Sequence, residues 1–174
     1  KGVREGCAHG AAPGKTLDFA VFLVTAVDAA PQRTMTIWKK PISLEACNQT
    51  SENTAVTHLG IEFTEIGDDY LRGRVPVDER TRQPFGLLHG GVSVVLAETL
   101  GSIGAFYASP EGHRGVGLDI NANHLRAATS GWVTGTARPV HIGRTTQVWA
   151  IEMVNDAGEL TCVSRITMAI LAPR

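Results

Sequence analysis

One charged side chain stands alone in a long apolar stretch of this sequence. From Gln83 to Pro110 there are 28 residues, and Glu98 is the only Asp, Glu, Lys or Arg among them. An apolar stretch of this length is typical of a buried helix, in which a carboxylate requires a partner or a chemical role. We therefore interpret Glu98 as a candidate catalytic group. The structural alternatives are a narrow polar stripe on the helix, or an ion pair with a distant arginine.

The stretch from Gly90 to Tyr107 predicts one helix, because it is rich in Ala, Leu, Val and Ser and lies between Pro84 and Pro110. Its length is nearly sufficient to span a membrane. The central Glu98, the Gly and Ser content and the amphipathic segments around the helix favour a buried core helix instead.

Segments of alternating polarity on both sides of this helix predict β-strands. Residues 58–66 and 70–77 predict a hairpin before the helix, and residues 37–53 predict a lead-in with a helical turn or two. Four strands are predicted after the helix, in residues 116–124, 131–140, 146–154 and 160–171. This order predicts an α+β domain in which one long helix covers an antiparallel sheet.

Composition narrows the class of protein. The net charge of -1 over 174 residues gives no indication of a nucleic-acid or membrane partner. Cys7, Cys47 and Cys162 are far apart and form no CxxC motif, which argues against a disulfide framework and favours a reducing, cytoplasmic setting. The histidines show no HxH or HExxH spacing, so no metal site is expected.

The N-terminal residues 1–34 are rich in Ala and Gly and precede Met35, where the patterned domain begins. The apolar run in residues 19–27 resembles a weak signal peptide. We favour the interpretation that residues 1–34 are a leader or an artificial extension outside the fold, and that residues 35–174 form the domain.

The entry to the predicted helix adds a second candidate element. His89, Gly90 and Gly91 place an imidazole and two backbone amides at the positive end of the helix dipole, which is a natural oxyanion site; a tight loop-to-helix turn is the structural alternative. Ser102 follows Glu98 by one turn and can orient the carboxylate or its water. Gly90 and Glu98 lie about 12 Å apart along the helix axis. Two helices packed antiparallel across a two-fold axis would bring them together, which predicts a functional dimer.

Several stretches together carry a family resemblance. They are QPFGLLHGG at residues 83–91, LAETLGS at residues 96–102 and GLDINANH at residues 117–124, extended by PVHIGR at residues 139–144 and QVW at residues 147–149. The sequence resembles the hot-dog-fold thioesterases of the phenylacetate-pathway type over residues 35–171. Within that family it is most similar to the 1,4-dihydroxy-2-naphthoyl-CoA hydrolases of menaquinone biosynthesis and the enterobactin proofreading thioesterases. The resemblance implies a hot-dog fold, with an antiparallel sheet wrapped around one long central helix.

The same resemblance implies a role for each candidate catalytic residue. Glu98 would act as nucleophile or as general base on water, a choice that the family pattern leaves open. The Gly90 amide would donate to the oxyanion. His89 and Gln83 would hold the thioester carbonyl and the attacking water, with Ser102 in support.

A further set of residues corresponds to the substrate-contacting segments of that family. Arg126 and Arg144 are the cations that we assign to phosphate; exposed charges at strand ends are the structural alternative, and His124 could be an ordinary strand histidine. The full set expected along the CoA arm is Gly117, His124, Leu125, Arg126, Ala127, His141, Ile142, Gly143, Arg144, Thr145 and Thr146.

The implied activity is hydrolysis of an aromatic acyl-CoA, with 1,4-dihydroxy-2-naphthoyl-CoA or a similar aryl-CoA as substrate. Coenzyme A is then part of the substrate, and no cofactor is expected. The expected assembly is a dimer or a dimer of dimers, with active sites at the dimer interface. The alternatives are a proofreading thioesterase acting on carrier-protein thioesters, a non-catalytic acyl-CoA-binding protein, and a dehydratase or hydratase, which would typically require an Asp-His pair on the helix.

Overall fold

A computed structural model describes residues 36–173 of the chain. The predicted leader, residues 1–34, lies outside the described residues, as does Met35. In chain order the elements are α1 (Leu44–Gln49), α2 (Ala55–His58), β1 (Glu62–Ile66), β2 (Leu71–Pro76), α3 (Gly90–Tyr107), β3 (Arg114–His124), β4 (Trp132–Ile142), β5 (Thr146–Asn155) and β6 (Leu160–Leu171).

Helix α3 has the predicted bounds and is the centre of the domain. It begins after His89, whose backbone is extended and whose Nδ1 accepts a hydrogen bond from the Gly91 amide at 2.9 Å. Its buried face, which includes Leu96 and Leu100, packs against strands β2 to β6. Among the described helices, only α3 has the length and hydropathy of a membrane span, and half of it is buried against the sheet. The structure therefore places it as a core helix.

The six strands form one antiparallel sheet in the order β1-β2-β4-β5-β6-β3. The predicted strands are all present, and the α+β layout is confirmed. Short turns join β4 to β5 and β5 to β6. Strand β3 does not lie beside β4, its successor in the chain: it pairs with β6 at the edge of the sheet, and residues 125–131 cross back to β4. Alternation along a strand indicates which of its faces is buried, and it does not encode the neighbours of the strand in the sheet.

The first predicted strand begins later than expected. Residues 58–61 alternate in polarity, yet His58 ends α2 and the strand begins at Glu62. The Thr54 hydroxyl accepts a hydrogen bond from the Val56 amide and caps the single helical turn. Gly60 then adopts a positive φ of 71°, which turns the chain into β1.

Two glycines let α3 lie close to the sheet. A Cβ atom on Gly101 would lie 2.4 Å from Cγ2 of Ile166, and one on Gly104 would lie 2.9 Å from the indole of Trp149. Ile166 and Trp149 are fully buried. The absence of both Cβ atoms therefore sets the distance between the helix and strands β5 and β6.

The residues before α1 pack against β5 and the C-terminal end of α3. Trp38 stacks on Trp149 with ring centroids 6.2 Å apart. The Lys40 amide donates to the Tyr107 carbonyl, and the Lys40 ammonium lies 3.5 Å from the centroid of the Phe106 ring. Burial lowers the pKa of Lys40. These contacts hold the C-terminal end of α3, where the helix dipole is negative and a cation is favoured.

We predict that Gly101→Ala destabilises the domain. Alanine gains about 1 kcal/mol of helix propensity over glycine, but the clash with Ile166 forces an overpacking that typically costs about 1–3 kcal/mol. The net result should be a lower urea midpoint with an unchanged m-value. A raised midpoint would show that α3 moves away from the sheet without cost.

Candidate active site

The loop before α3 holds two of the predicted catalytic residues, Gln83 and His89. The Gln83 amide donates to the Leu87 carbonyl at 2.8 Å, and the Gln83 side-chain oxygen accepts from the Phe85 amide. The side-chain NH₂ of Gln83 is therefore the group left to donate. The His89 amide donates to Thr81 O at 2.8 Å, which ties the loop to the buried Thr81.

The start of α3 presents further donors beside this loop. Because Nδ1 of His89 accepts from Gly91, the neutral ring carries its proton on Nε2, which is free to donate. The Gly90 amide donates no hydrogen bond to a backbone acceptor among residues 36–173. Gly90 also faces His124, since a Cβ atom on Gly90 would lie 2.8 Å from the Nε2 atom of that histidine.

Gln83 and Gly90 share one open cavity with part of the predicted substrate set, whereas His89 is exposed and is not among the residues that line it. Its volume is about 320 Å³. Six of the predicted site residues line it: Gln83, Gly90, His124, Leu125, Arg126 and Ala127. We call this group the oxyanion half-site.

Glu98 lies in a different cavity, of about 220 Å³, together with Gly117 and the next three residues of β3. The Glu98 side chain is half-buried, and within residues 36–173 no Lys, Arg or His nitrogen lies within ion-pair distance of it. Its Oε1 would lie 2.6 Å from a Cβ atom on Gly117, so only glycine leaves room for the carboxylate. A β-bulge at Leu118 interrupts the pairing of β3 with β6 beside this carboxylate.

The predicted segment 141–146 lies at the same end of the sheet as Glu98. Thr146 neighbours Ala169 of β6, and Ala169 pairs with Val116 of β3, so the β4–β5 turn is in the row next to Gly117. His141 and Arg144 of this segment are exposed. We call Glu98, Gly117 and this turn the carboxylate half-site; the turn comprises His141, Ile142, Gly143, Arg144, Thr145 and Thr146.

Ser102 lies one turn beyond Glu98, as its spacing requires. Its hydroxyl is 3.9 Å from Sδ of Met168, and this is the hydrogen-bond contact that the structure gives it. The supporting role that we predict for Ser102 requires the hydroxyl to rotate from Met168 towards the carboxylate.

The two half-sites are far apart within one chain. Gly90 and Glu98 are separated by about 12 Å along the continuous helix α3. Gly117 and His124 are separated by seven residues of β3, or about 23 Å at the rise of a β-strand. One protomer therefore does not bring its own Glu98 and its own Gly90 amide to the same small group.

Strand β3 connects the half-sites, and one of its edges pairs with no other strand of residues 36–173. Within that range it pairs only with β6, and most of its residues are exposed, including Val116 at 44% and Leu118 at 64%. A long exposed edge strand with apolar side chains is a template for pairing with another strand.

Neither cysteine of the described residues suits nucleophilic catalysis. Cys47 and Cys162 are buried, and burial raises the pKa of each thiol. A thiol with a raised pKa is a poor nucleophile at neutral pH. Cys162 lies beside the oxyanion half-site, because it pairs with His124 across β3 and β6. Since both thiols are poor nucleophiles, Glu98 is the better candidate for the catalytic group.

Sequence reasoning missed two neighbours of the site. Leu118 occupies the bulge beside Glu98, and a bulge leaves no reliable signature in a single sequence. Glu159, in the turn between β5 and β6, forms an ion pair of 3.2 Å with Arg126. These two residues are 33 positions apart in the sequence, so only the strand order reveals their contact.

Comparisons with known proteins identify the family to which the chain is similar. Residues 85–162 match the model of the thioesterase superfamily. The chain is 52% identical to the 1,4-dihydroxy-2-naphthoyl-CoA hydrolase of Escherichia coli over 135 residues, which cover 78% of this chain and 99% of the relative. It is 49% identical to a proofreading thioesterase of Cronobacter turicensis, over 78% of this chain and 98% of the relative.

A solved structure gives the same result for the fold. The crystal structure of a thioesterase from Haemophilus influenzae superposes with a TM-score of 0.78 at 51% sequence identity, covering 79% of this chain and 96% of that chain. The predicted hot-dog fold is confirmed by this match, together with the sheet and long helix described above.

We predict that Gly117→Ala abolishes most activity against acyl thioesters while the fold is retained. The new Cβ atom would occupy the position next to Oε1 of Glu98 and displace the carboxylate. A misplaced catalytic group typically costs about 100-fold in rate. Gly115→Ala on the same strand is the matched control, because its Cβ atom would meet no atom closer than 3.4 Å. Equal turnover by the two variants, measured as thiol release, would contradict this placement of Glu98.

Proposed function

Because the chain belongs to the thioesterase superfamily and is a thioester hydrolase, we propose that it hydrolyses an aromatic acyl-CoA at a site shared by two copies of the chain. One observation carries the shared site. Glu98 is a half-buried carboxylate with no ion-pair partner in the described part of the chain, and the donor-rich start of the same helix is about 12 Å away.

A two-fold axis at the middle of β3 would produce this assembly. If two β3 strands pair antiparallel about an axis near Ile120, Gly117 of one protomer lies opposite the partner's His124. The carboxylate half-site of one protomer then faces the oxyanion half-site of the other. Two identical composite sites result, and the exposed apolar residues of β3 become buried.

The proposed chemistry places the thioester carbonyl between the half-sites. The Gly90 amide donates to the carbonyl oxygen, and one such donor typically contributes about 3 kcal/mol to transition-state stabilisation. The NH₂ of Gln83 and the Nε2–H of His89 hold the carbonyl and the attacking water. In one route Glu98 removes a proton from a water molecule, which attacks the carbonyl carbon. In the other route Glu98 attacks that carbon itself, and water then hydrolyses the resulting acyl-Glu98 anhydride. In both routes the C–S bond breaks, the sulfur takes up a proton, and the products are a carboxylic acid and free CoA.

The CoA arm follows the remaining predicted residues. It passes Gly117 and the segments 124–127 and 141–146, with the phosphates near Arg126 and Arg144. Guanidinium groups bind phosphate through directed pairs of hydrogen bonds. Both side chains are exposed in the single chain and so are accessible to a ligand.

The acyl group that we propose is 1,4-dihydroxy-2-naphthoyl or a similar aryl group, as in menaquinone biosynthesis. The support is the 52% identity to a hydrolase of that name over nearly its whole length. We further propose a cytoplasmic homotetramer, formed as a dimer of these dimers, that requires neither a metal nor a cofactor.

A second candidate function has separate support. The chain is 49% identical to a proofreading thioesterase, and for this candidate function we propose an aryl group carried on the phosphopantetheine arm of a carrier protein. The same composite site would serve both substrates, because the reacting thioester is identical and only the distal part of the carrier differs.

Mixing two inactive variants tests the shared site. Glu98→Ala and Gln83→Ala should each be nearly inactive alone. In a heterodimer one site combines Glu98 of one protomer with Gln83 of the other and is intact. Random 1:1 re-association should restore about 25% of wild-type activity, since about half of the dimers are mixed and each has one intact site. The control is the Gln83→Ala/Glu98→Ala double variant mixed with Glu98→Ala, which should remain inactive. Failure of the first mixture, with heterodimers verified, would favour a site within one chain.

A substrate panel tests the acyl group and the carrier. Thiol release should be fastest for dihydroxynaphthoyl-CoA and benzoyl-CoA and at least about 10-fold slower for long-chain acyl-CoA, because discrimination in an apolar pocket follows shape and size. The same aryl group on a carrier protein separates the two candidate functions by the ratio of kcat/KM. Tight CoA binding without hydrolysis of any thioester would contradict the enzymatic proposal.

A further inference from the structure

The ion pair between Arg126 and Glu159 points to a specificity device at the edge of the oxyanion half-site. Arg126 is the only Lys or Arg among the described residues that line the cavity of the oxyanion half-site. Its Nη1 lies 3.2 Å from Oε1 of Glu159. We propose that Glu159 is a specificity-determining residue that weakens the selection for a phosphomonoester on the thiol carrier. This inference rests on the proposed function, because it assigns phosphate to Arg126.

The position of Glu159 is fixed by the turn that carries it. Its amide donates to Oδ1 of Asn155 at 3.0 Å, and its Oε2 accepts from Nδ2 of Asn155 at 2.9 Å. Gly158, at a φ of 76°, closes the turn. The opposite end of the pair is also held, because the Arg126 amide donates to the Thr161 carbonyl at 3.2 Å. The end of β3 and the start of β6 therefore hold the Arg126 guanidinium and the Glu159 carboxylate within ion-pair distance.

The pair changes the charge of the cavity wall. With Glu159 beside it, Arg126 contributes no net charge but keeps unused N–H donors on its guanidinium. A phosphomonoester carries about 1.5 to 2 negative charges at pH 7, so it is repelled by Glu159 as well as attracted by Arg126. A phosphodiester has one charge and is repelled less. Both side chains are about half exposed, which screens the effect to a moderate size.

The consequence concerns which thiol carriers the site accepts. Coenzyme A has a 3′-phosphomonoester on its ribose, whereas dephospho-CoA and the phosphopantetheine arm of a carrier protein have only phosphodiester or diphosphate groups. A neutral pair at this position reduces the advantage of the 3′-phosphate, so thioesters that lack it remain substrates.

The test compares Glu159→Gln with Asp156→Asn on benzoyl-CoA and benzoyl-dephospho-CoA. Asp156 lies in the same turn, and its carboxylate accepts from the Trp132 amide at 3.0 Å without an ion pair to Arg126, so its variant removes the same charge elsewhere. Glu159→Gln should lower KM for benzoyl-CoA about 3- to 10-fold and change KM for the dephospho substrate less than 2-fold. Asp156→Asn should change neither. The decrease in KM for benzoyl-CoA should be smaller in 0.5 M salt, because salt screens exposed charges. This concentration is on the order of five times the ionic strength of about 0.1 M at which the Debye length is about 10 Å.

Two further measurements distinguish a failure of the role proposed for Glu159 from a failure of the proposed function. In an Arg126→Gln background, Glu159→Gln should have no effect on the KM ratio. Calorimetric binding of free CoA and dephospho-CoA to the full chain measures the same preference without turnover. An equal change in KM for both substrates, no change, or the same change in Asp156→Asn would overturn the role of Glu159. Absence of hydrolysis of every CoA thioester by the wild type would instead reject the proposed function.

Discussion

The rigidity of one helix governs the chemistry of this protein. Helix α3 runs without a break from Gly90 to Tyr107, so the amide at its start and the carboxylate of Glu98 stay about 12 Å apart. A thioester carbonyl is too small to reach both within one chain. The proposed two-fold assembly follows from this spacing, because an antiparallel second copy offers a Gly90 amide where the first offers Glu98.

The rest of the fold holds that helix and leaves both its first residue, Gly90, and the Glu98 side chain partly accessible. Gly101 and Gly104 allow contact with Ile166 and Trp149, so the sheet fixes the depth of α3. Gly117 and the bulge that follows it leave space for the Glu98 carboxylate at the edge strand β3. The same edge is the exposed surface through which a second copy would pair. Strand β3 therefore serves two purposes: it leaves room for the Glu98 carboxylate, and it offers the edge through which two copies would pair.

The sequence predicted the parts of the structure that depend on local pattern. The bounds of α3 were right because Pro84 and Pro110 flank a stretch in which Glu98 is the only charged residue, and the strands after it were found by their alternation. The start of β1 was placed four residues too early, since α2 continues to His58 and Gly60 turns the chain into the strand at a positive φ. The place of β3 beside β6, the bulge at Leu118 and the contact of Glu159 with Arg126 depend on tertiary packing, which no local pattern encodes.

The most direct measurement is a crystal structure of the Glu98→Gln variant with an aryl-CoA bound at the intact thioester. The account predicts a carbonyl oxygen about 2.9 Å from the Gly90 amide of one protomer. The carboxamide of the variant side chain should approach the carbonyl carbon from the partner subunit, with β3 strands paired across the two-fold axis. A carbonyl bound by groups of one chain alone, or bound away from position 98, would contradict the shared site.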